Sequence, residues 1–405
     1  MNNKEKIITL VLAGGKGERL YPLTRDRAKP AVPFGGIYRI IDFTLSNAIN
    51  SGLRRIYILV QYKSFSLQRH IREGWNIFSR ELGEFVDLVP AQMRIGEEWY
   101  LGTADSVFQN IYLLNQEKPD IVLILSGDHI YKMDYRSLIQ FHKEKNADLT
   151  ISVFEVPVNQ ASRFGVLKID KDLRVVDFKE KPEVPEPSPL NPEVSLISMG
   201  IYVFNTEILV KRLFEDAKKK DSVHDFGKNI IPSMVGRDKV FAFPFIDENK
   251  KETKYWRDIG TIDAYYEANM DLVNVEPILN LYDKDWPIRT YQEQMPPAKT
   301  VFSGYDRKGE VLDSIICGGC IVSGAKIFHS VVSPWVHFHS YSEISDSIIF
   351  ENVEISRYCK IRKAIIDKDV YIPTGIQIGY DEKEDRKRFT VSENGVVVIP
   401  KGMKW

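Results

Sequence analysis

Several features that mark membrane-spanning, secreted or nucleic-acid-binding proteins are scarce in this chain of 405 residues. No apolar run approaches the roughly 20 residues that a membrane span requires, and the opening MNNKEK leads into a strand-like run instead of a signal-peptide core. The 55 Lys and Arg residues nearly balance the 56 Asp and Glu residues, so no global field would draw the protein to nucleic acid or an anionic membrane. We therefore expect a cytoplasmic protein that binds anions only locally.

Cysteine is also rare, with three residues in the whole chain. Cys317 and Cys320 form a C-x-x-C pair, but no second pair accompanies them, and Cys359 stands alone. Zinc sites and disulfide frameworks need more cysteines at regular spacing. We therefore expect three core thiols.

The most informative stretch is a glycine-rich loop within Leu10 to Pro30, which reads LVLAGGKGERLYPLTRDRAKP. It follows an apolar run, Ile7 to Leu12, that is typical of a buried strand. Glycine lets backbone amides approach an anion closely, because no Cβ intervenes and positive φ carries no penalty. Three cations follow, and a glycine cradle with cations behind it suits a polyphosphate; the residues are Gly14, Gly15, Gly17, Lys16, Arg19 and Lys29.

Two familiar phosphate loops do not fit this stretch. A dinucleotide fingerprint needs glycines at the first, third and sixth positions, but the sixth residue from Gly15 is Leu20. A Walker loop needs Gly-Lys-Ser/Thr, whereas Gly17 is followed by Glu18. A glycine turn can also serve geometry alone, so the loop by itself leaves a purely structural role open.

Strand-like and helix-like segments alternate from Ile7 to about Phe154, which predicts a mostly parallel sheet covered by helices. Asp42 is predicted to cap one helix, and another is predicted over 103–115. Ligands collect beyond the carboxyl ends of parallel strands, so the glycine loop, Gln61, Gln92 and residues 126–128 should converge. Shorter strands between 154 and 243, interrupted by the proline-rich 181–193, suggest a lid or sugar-binding subregion, and 286–299 reads as a linker.

The last third of the chain carries an internal repeat. Apolar residues recur six apart in four sets, and each set starts 17 residues after the last. This spacing is the mark of a three-sided parallel β-helix of four coils, with small residues at inner turns such as Ala325, Ser342 and Cys359. The apolar sets are Ile315, Ile321 and Ile327; Val332, Phe338 and Ile344; Ile349, Ile355 and Ile361; and Ile366, Ile372 and Ile378.

Three side chains stand where chemistry could occur. Asp128, in LSGDHIY, ends a strongly apolar strand, and Asp258, in YWRDIGT, precedes a predicted helix. Either could simply cap a turn, but together they could hold a Mg²⁺ ion that also touches a triphosphate. Lys181, in DFKEKP, would ordinarily be a solvated surface lysine.

The whole string L-x-G-G-x-G-x-R-L, followed by A-K-P, resembles the sugar-1-phosphate nucleotidyltransferases. Its continuation, FGGIYRIIDFTLSNAINSG, narrows the resemblance to the glucose-1-phosphate adenylyltransferases. The resemblance implies a Rossmann-like α/β domain with a mostly parallel sheet (1–275), a linker (276–300) and a left-handed parallel β-helix for oligomerisation and regulation (301–405). It also implies transfer of AMP from ATP to α-D-glucose 1-phosphate in glycogen or α-glucan biosynthesis, with Mg²⁺ as cofactor, in an allosteric homotetramer.

The same resemblance assigns roles residue by residue. Catalysis would fall to Arg19, Lys29 and Asp128, and the metal to Asp128 and Asp258. Nucleotide contacts would come from Leu12, Ala13, Gly14, Gly15, Gly17, Gln92, Tyr100, Gly102, Thr103 and Asp105, although Leu101 replaces an Arg found in some relatives. Contacts to glucose 1-phosphate would come from Gly165, Glu180, Lys181, Ser198, Tyr202, Asp225 and Trp256.

Regulation is where the sequence departs from its relatives. In enteric members a Lys and a His that help to bind fructose 1,6-bisphosphate stand where this chain has Asp26 and Pro33. The cations that remain are Arg39, Lys368 and Lys401, which favours a sugar monophosphate or carboxylate effector.

Three alternatives stay open from sequence. An enzyme using UTP or dTTP would share the loop, and a non-catalytic regulatory subunit would be expected to lose loop cations or the metal Asp. His329, His337 and His339 in the second coil also call to mind β-helix acyltransferases, which use a catalytic His on such coils.

Overall fold

The computed structural model describes residues 5–92, 99–189, 191–245 and 254–405. Within these ranges the amino-terminal part is built on a sheet of nine strands. Its strands are Ile7–Leu12, Arg55–Val60, Phe85–Pro90, Ile121–Ser126, Leu149–Pro157, Gly165–Ile169, Val175–Glu180, Val194–Asn205 and Val240–Pro244.

The part of the sheet that leads into the glycine loop is parallel, as predicted. Strand Ile7–Leu12 lies between Ile121–Ser126 and Arg55–Val60, and Phe85–Pro90 adds to the outer edge. Side chains alternate between two faces, so Ile8 packs in one hydrophobic cluster and Val11 in the other. Both faces are buried, which explains the unbroken apolar runs in these strands.

The other part of the sheet is mainly antiparallel and is centred on a strand longer than predicted, Val194–Asn205; Val240–Pro244 joins its edge in parallel with Leu149–Pro157. This strand pairs with Ile121–Ser126, Leu149–Pro157 and Gly165–Ile169. Its register shifts between Ser198 and Tyr202, around Gly200 with φ +69°. A bulge of this kind re-aims side chains, here at the edge of the cleft described below.

Helices of the amino-terminal part cover both faces of the sheet. They are α1 Ile40–Asn50, α2 Phe65–Gly74, α3 Thr103–Phe108, α4 Ile111–Glu117, α5 Tyr135–Glu144, α6 Thr206–Ala217 and α7 Ile231–Met234. Helix α8, Ile262–Met270, lies in the hydrophobic cluster shared with the β-helix, and α9, Glu382–Arg388, packs on strand Thr390–Val391 in the carboxyl-terminal part. Asp134 and Thr261 cap α5 and α8, since they accept hydrogen bonds from the backbone amides of Arg136 and Ala264.

Two helix predictions were wrong in detail. Asp42 does not precede α1 but lies in its first turn, where it accepts from the amide of Arg39 and binds the buried His70 and Trp75 side chains. The helix expected over 103–115 is two helices. The Asn110 side chain donates to the carbonyl of Ser106, and such side-chain competition with the backbone ladder interrupts helices.

The carboxyl-terminal part is a parallel β-helix with three faces. Its strands stack in three sheets; the face that carries residues 321–323 also contains His337–Phe338, Glu354–Ile355 and Tyr371–Ile372. The inward residues of three coils are those predicted, and Cys320, Cys359, Ala325 and Ser342 are buried. Cys317 is buried as well, and all three cysteines are free thiols.

The first coil departs from the predicted register. Ile316 and Val322, not Ile315 and Ile321, stack on the inward residues of the next coil. The coil is one residue short at the corner formed by Gly324, whose φ of +70° permits a tight turn. Ile321 is therefore exposed.

The β-helix packs against the amino-terminal part through a shared hydrophobic cluster that includes Tyr265, Phe350 and Ile365. An ion pair between Arg27 and Asp367, 2.8 Å apart, is almost fully buried at this junction. In the described residues, every helix is too short or too polar to cross a membrane.

Candidate active site

A cleft of about 850 Å³ opens at the carboxyl ends of the parallel strands. One side is the glycine loop and the other is the antiparallel part of the sheet. This confirms that the loop and strand ends meet. The predicted site residues that line the cleft are Leu12, Ala13, Gly14, Gly15, Gly17, Arg19, Lys29, Tyr100, Gly102, Thr103, Asp128, Glu180, Tyr202 and Asp225.

The glycine loop keeps bulk out of the cleft. Gly17 has φ +65°, and a Cβ there would lie 3.0 Å from both Lys29 and Thr24. The Thr24 hydroxyl donates to the Gly17 carbonyl at 2.8 Å. Only glycine adopts this conformation without strain, so the loop holds a fixed, side-chain-free backbone beside Lys29.

Lys29 joins the two candidate metal ligands. Its Nζ lies 2.8 Å from Asp128 Oδ2 and 3.3 Å from Asp258 Oδ1. Burial opposes the charge on this ammonium, but attraction to the two carboxylates outweighs burial and the pKa of Lys29 is raised. Asp128 is half-buried; burial opposes its charge, but Lys29 and neighbouring hydrogen bonds hold its pKa well below the usual range. Both carboxylate and ammonium are therefore charged.

The two aspartates come together because of local structure on separate segments. Asp128 precedes the short strand His129–Tyr131, which pairs with Trp256–Asp258, and His129 lies opposite Asp258 in the register. Ser126 donates to Asp128. Two carboxylates that share one cation form an oxygen-rich site that fits a divalent metal ion.

The Arg19 side chain approaches the same cluster beside Gly260, which has no side chain to block it. A Cβ at Gly260 would lie 2.8 Å from the Arg19 guanidinium and about 3 Å from both Asp258 oxygens. Gly260 follows Asp258 by two residues, so its lack of a side chain leaves room for both groups. The cluster thus carries two cations, Arg19 and Lys29, against two anions.

On the opposite side of the cleft, the Glu180 carboxylate lies close to the backbone of two glycines. A Cβ at Gly165 would lie 2.8 Å from Glu180 Oε2, and one at Gly227 would lie 2.5 Å away. Burial raises the pKa of Glu180, and the charge of Lys181, 3.4 Å away, partly opposes the rise. The Lys181 side chain itself is largely exposed, with backbone φ +49°.

Asp225 has a structural role that the amino-acid sequence did not reveal. Its Oδ1 accepts from the amides of Gly227 and Lys228, and its Oδ2 accepts from the Thr103 hydroxyl at 2.9 Å. Thr103 begins α3. Asp225 therefore ties the segment of the predicted nucleotide contacts to a segment of the predicted sugar contacts.

The remaining predicted sugar contacts lie around the bulge at Gly200. The Ser198 and Tyr202 hydroxyls are 3.3 Å apart, and burial raises the pKa of Tyr202 well above its usual range. Trp256 is buried against His129, edge to face at 5.0 Å. Trp256 Nε1 and His129 Nδ1 are buried and have no hydrogen-bond partner in the part of the chain that is described.

The predicted nucleotide contacts separate into two groups. Tyr100 lines the cleft and accepts from Asn110 at 2.8 Å. Asp105 instead accepts from the Leu101 amide and the Gln109 side chain, so it shapes the loop. Gly102 packs against the backbone of residues 223–224, where any Cβ would overlap carbonyl oxygens.

Gln92 is exposed and does not line the cleft; it is the last described residue before 93–98. Sequence reasoning also missed several lining residues. Tyr62 stacks on Trp99 with ring centroids 5.6 Å apart and lies under the Lys16 ammonium. These two residues are distant in sequence, and no local pattern predicts that they stack. Other lining residues without a predicted role are Glu18, Pro30, Leu59, Ser106, Gly200, Phe226, Gly227 and Gly260.

A second cavity of about 270 Å³ lies between the amino-terminal part and the β-helix. Arg39 and Lys368 line it as predicted, together with Arg69 and the carboxylates of Glu73, Glu293 and Glu351. Burial lowers the pKa of both Arg39 and Lys368. Lys401 does not line this cavity; its Nζ pairs with Asp369 at 2.6 Å. Asp26 is likewise absent from the lining and pairs with Arg25.

Comparison with known proteins covers both parts of the chain. Residues 8–275 match the family model described as Nucleotidyl transferase, and residues 296–399 match the model described as GlmU-like, C-terminal hexapeptide. Several curated relatives carry the name glucose-1-phosphate adenylyltransferase, among them the following three. The relative from Koribacter versatilis (strain Ellin345) is 56% identical over 392 residues, which is 96% of this chain and 94% of the relative. That from Rhodopirellula baltica is 56% identical over 400 residues (98% and 90%), and that from Shewanella oneidensis is 52% identical over 404 residues (99% and 96%).

Proposed function

We propose roles for the residues of the cleft from one premise: the chain belongs to the glucose-1-phosphate adenylyltransferase family. It is an enzyme that transfers AMP from ATP to α-D-glucose 1-phosphate, giving ADP-glucose and pyrophosphate. Its fold is the one predicted, a Rossmann-like domain with a mostly parallel sheet followed by a left-handed parallel β-helix. The observation that carries the roles is the Lys29 bridge between Asp128 and Asp258 beside the glycine loop.

The reaction needs no covalent nucleophile from the protein. A phosphate oxygen of glucose 1-phosphate attacks the α-phosphorus in line, so the enzyme works by positioning and by charge stabilisation. The backbone of 14–17 holds the triphosphate. Arg19 and Lys29 neutralise the charge that develops on the leaving pyrophosphate, a role their position in the cleft supports.

The family uses a divalent metal ion, which we take to be Mg²⁺. Asp128 and Asp258 would hold it, and when bound it would neutralise phosphate charge. Carboxylate oxygens are the ligands that Mg²⁺ prefers, and the two aspartates already share one cation. Lys29 therefore keeps the two aspartates together, and Asp128 ionised, before substrates arrive.

On the sugar side, Glu180 accepts from glucose hydroxyls and Lys181 fixes the incoming phosphate. Gly165 and Gly227 support this role because a Cβ at either position would occupy the space of the Glu180 carboxylate. Ser198, Tyr202 and Trp256 complete the sugar pocket, while Asp225 and Thr103 join it to the nucleotide pocket. Tyr100 faces the nucleotide, and Asp105 and Gly102 shape the loop beside it. Gln92 is exposed outside the cleft and is assigned no nucleotide contact.

The roles are tested by pyrophosphate release with ATP, UTP and dTTP in turn. We expect ATP to be preferred, with Mg²⁺ required. Equal rates with UTP would contradict the assigned nucleotide contacts but not the metal site, so the panel separates the two.

We also propose a homotetramer joined through 301–405, a linker at 276–300 between the two parts of the chain, and a cytoplasmic location.

We further propose a regulatory site in the second cavity. Arg39 and Lys368 support an anionic effector, since both are cations partly stripped of water. Three nearby carboxylates limit the negative charge that the cavity accepts, which supports a monophosphate or carboxylate over a bisphosphate. Lys401 would contribute from outside the cavity lining, where its ammonium pairs with Asp369. An activation series with fructose 6-phosphate, pyruvate and fructose 1,6-bisphosphate tests this; strongest activation by the bisphosphate would contradict it.

A further inference from the structure

An outer face of the β-helix carries a cluster that the reaction does not use. Across the described residues, His337, His339 and Glu354 form the one group of three or more His, Cys, Asp or Glu side chains whose donor atoms all lie within 4.8 Å of one another. Each side chain is at least partly exposed. The cluster therefore has both the donors and the access that an ion from solution needs.

The strand geometry explains why the three side chains meet. Strand His337–Phe338 pairs in parallel with Glu354–Ile355, and His337 lies directly opposite Glu354. Phe338 and Ile355 point into the core, so their neighbours point outward. His339 follows His337 by two residues and therefore emerges on the same face.

The distances are close to those of a coordination shell. His339 Nε2 lies 3.0 Å from Glu354 Oε1, and the two imidazole rings are 4.1 Å apart between centroids at an angle of 31°. Ligands of a tetrahedral zinc ion, each at about 2.0–2.1 Å, lie roughly 3.3 Å from one another. Small side-chain rotations bring all three donors to that spacing, because none of them is locked in the core.

We propose that His337, His339 and Glu354 bind one Zn²⁺ or similar transition-metal ion, with water in the fourth position. Two imidazole nitrogens and one carboxylate oxygen are typical zinc ligands, whereas Mg²⁺ prefers oxygen ligands and retains its waters. The site is thus chemically distinct from the aspartate pair in the cleft.

The ion would join two successive coils of the β-helix. His337 and His339 belong to one coil and Glu354 to the next. A ligand that binds only the folded form stabilises it, so the ion would strengthen the β-helix. The face packed on the amino-terminal part is another one, with Val331, Ile348 and Ile365, so we expect turnover to be unchanged.

The test is titration of Zn²⁺ into full-length, chelator-treated enzyme, followed by calorimetry in excess Mg²⁺. The Mg²⁺ occupies the aspartate pair and leaves the imidazole site open. The variants are His337→Gln and His339→Gln. The matched control is His329→Gln, which removes another β-helix histidine that pairs with one carboxylate, Asp346, at 2.8 Å.

We expect one Zn²⁺ per chain for wild type and for His329→Gln. Loss of an outer-shell partner of a metal site already weakens binding about 10–100-fold, so loss of a direct ligand should weaken it at least about tenfold in both His337→Gln and His339→Gln. Co²⁺ should give the intense visible absorption of a tetrahedral site in wild type, and His339→Gln should lose it. Unchanged Zn²⁺ affinity in both variants, an equal loss in His329→Gln, or no Zn²⁺ binding by wild type would each overturn the proposal.

Discussion

Replacement of Asp128 by Asn is the most direct test of the proposed metal site. The substitution keeps the shape of the side chain but removes its charge. In the native cluster Asp128 accepts from Lys29 at 2.8 Å and from Ser126. The amide oxygen of Asn can still accept one of these bonds, so we expect the fold to persist.

The size of the effect follows from the charges present. Loss of one preorganised group that stabilises transition-state charge costs roughly 3 kcal/mol, or about 100-fold in kcat. Asp128→Asn also leaves Lys29 with a single anionic partner, Asp258, at 3.3 Å. The raised pKa of Lys29 depends on both carboxylates, so it should fall in the variant, and the alkaline limit of the residual activity should move to lower pH.

The assay is pyrophosphate release at saturating ATP, glucose 1-phosphate and Mg²⁺, across a pH series. Asp134→Asn is the matched control, because Asp134 caps α5 and pairs with Arg136 at the surface. Weakening that cap should cost about 1 kcal/mol of stability or less and leave kcat unchanged. A kcat for Asp128→Asn within about threefold of wild type, at saturating Mg²⁺ and with native circular dichroism, would refute the reasoning.

Three further predictions concern the sugar side and the domain junction. Lys181→Gln should raise KM for glucose 1-phosphate and leave KM for ATP little changed, because an exposed phosphate-binding lysine contributes mainly substrate affinity; initial rates with each substrate varied would show a parallel rise in both KM values if Lys181 is not a dedicated contact. Gly165→Ala should displace Glu180 and also raise KM for glucose 1-phosphate. Because the pKa of Glu180 is raised, the wild-type kcat/KM for glucose 1-phosphate should fall on acidification at a pH above that of an ordinary Glu. A pH profile without this acidic decline would count against the role of Glu180. Asp367→Asn should destabilise the fold by about 3–5 kcal/mol, because it leaves the buried Arg27 unpaired; denaturant unfolding measures this, and an unchanged midpoint would contradict it.

The sequence predicted those parts of the fold that are encoded by local periodicity. The apolar run Ile7 to Leu12 and the glycines behind it identify a parallel strand and its loop. The repeat of 17 residues gives the three-sided β-helix and most of its inward positions. The error at Ile315 and Ile321 arises because the coil is one residue short at Gly324, and a periodic pattern cannot show a deletion within its first repeat.

Contacts between distant segments were not predictable in the same way. Lys29 contacts Asp128 and Asp258, which lie 99 and 229 residues further along the chain. The two glycines beside the Glu180 carboxylate likewise belong to other segments. Resemblance identified the participants, but only the fold shows that Asp105 shapes a loop while Tyr100 lines the cleft. No local pattern specifies which of several polar residues near a site is structural.

The two sides of the cleft are held by different forces, and this separates their expected mutational effects. On the phosphate side, Arg19, Lys29, Asp128 and Asp258 are placed by mutual charge, so changes there alter stabilisation of the transition state and act on kcat. On the sugar side, Glu180 is placed by close backbone approach at glycines. A changed position there alters ground-state and transition-state binding together and so acts on KM. The cap at Asp225, which bonds Thr103 across the cleft, is the link between them, and a substitution there should affect both parameters.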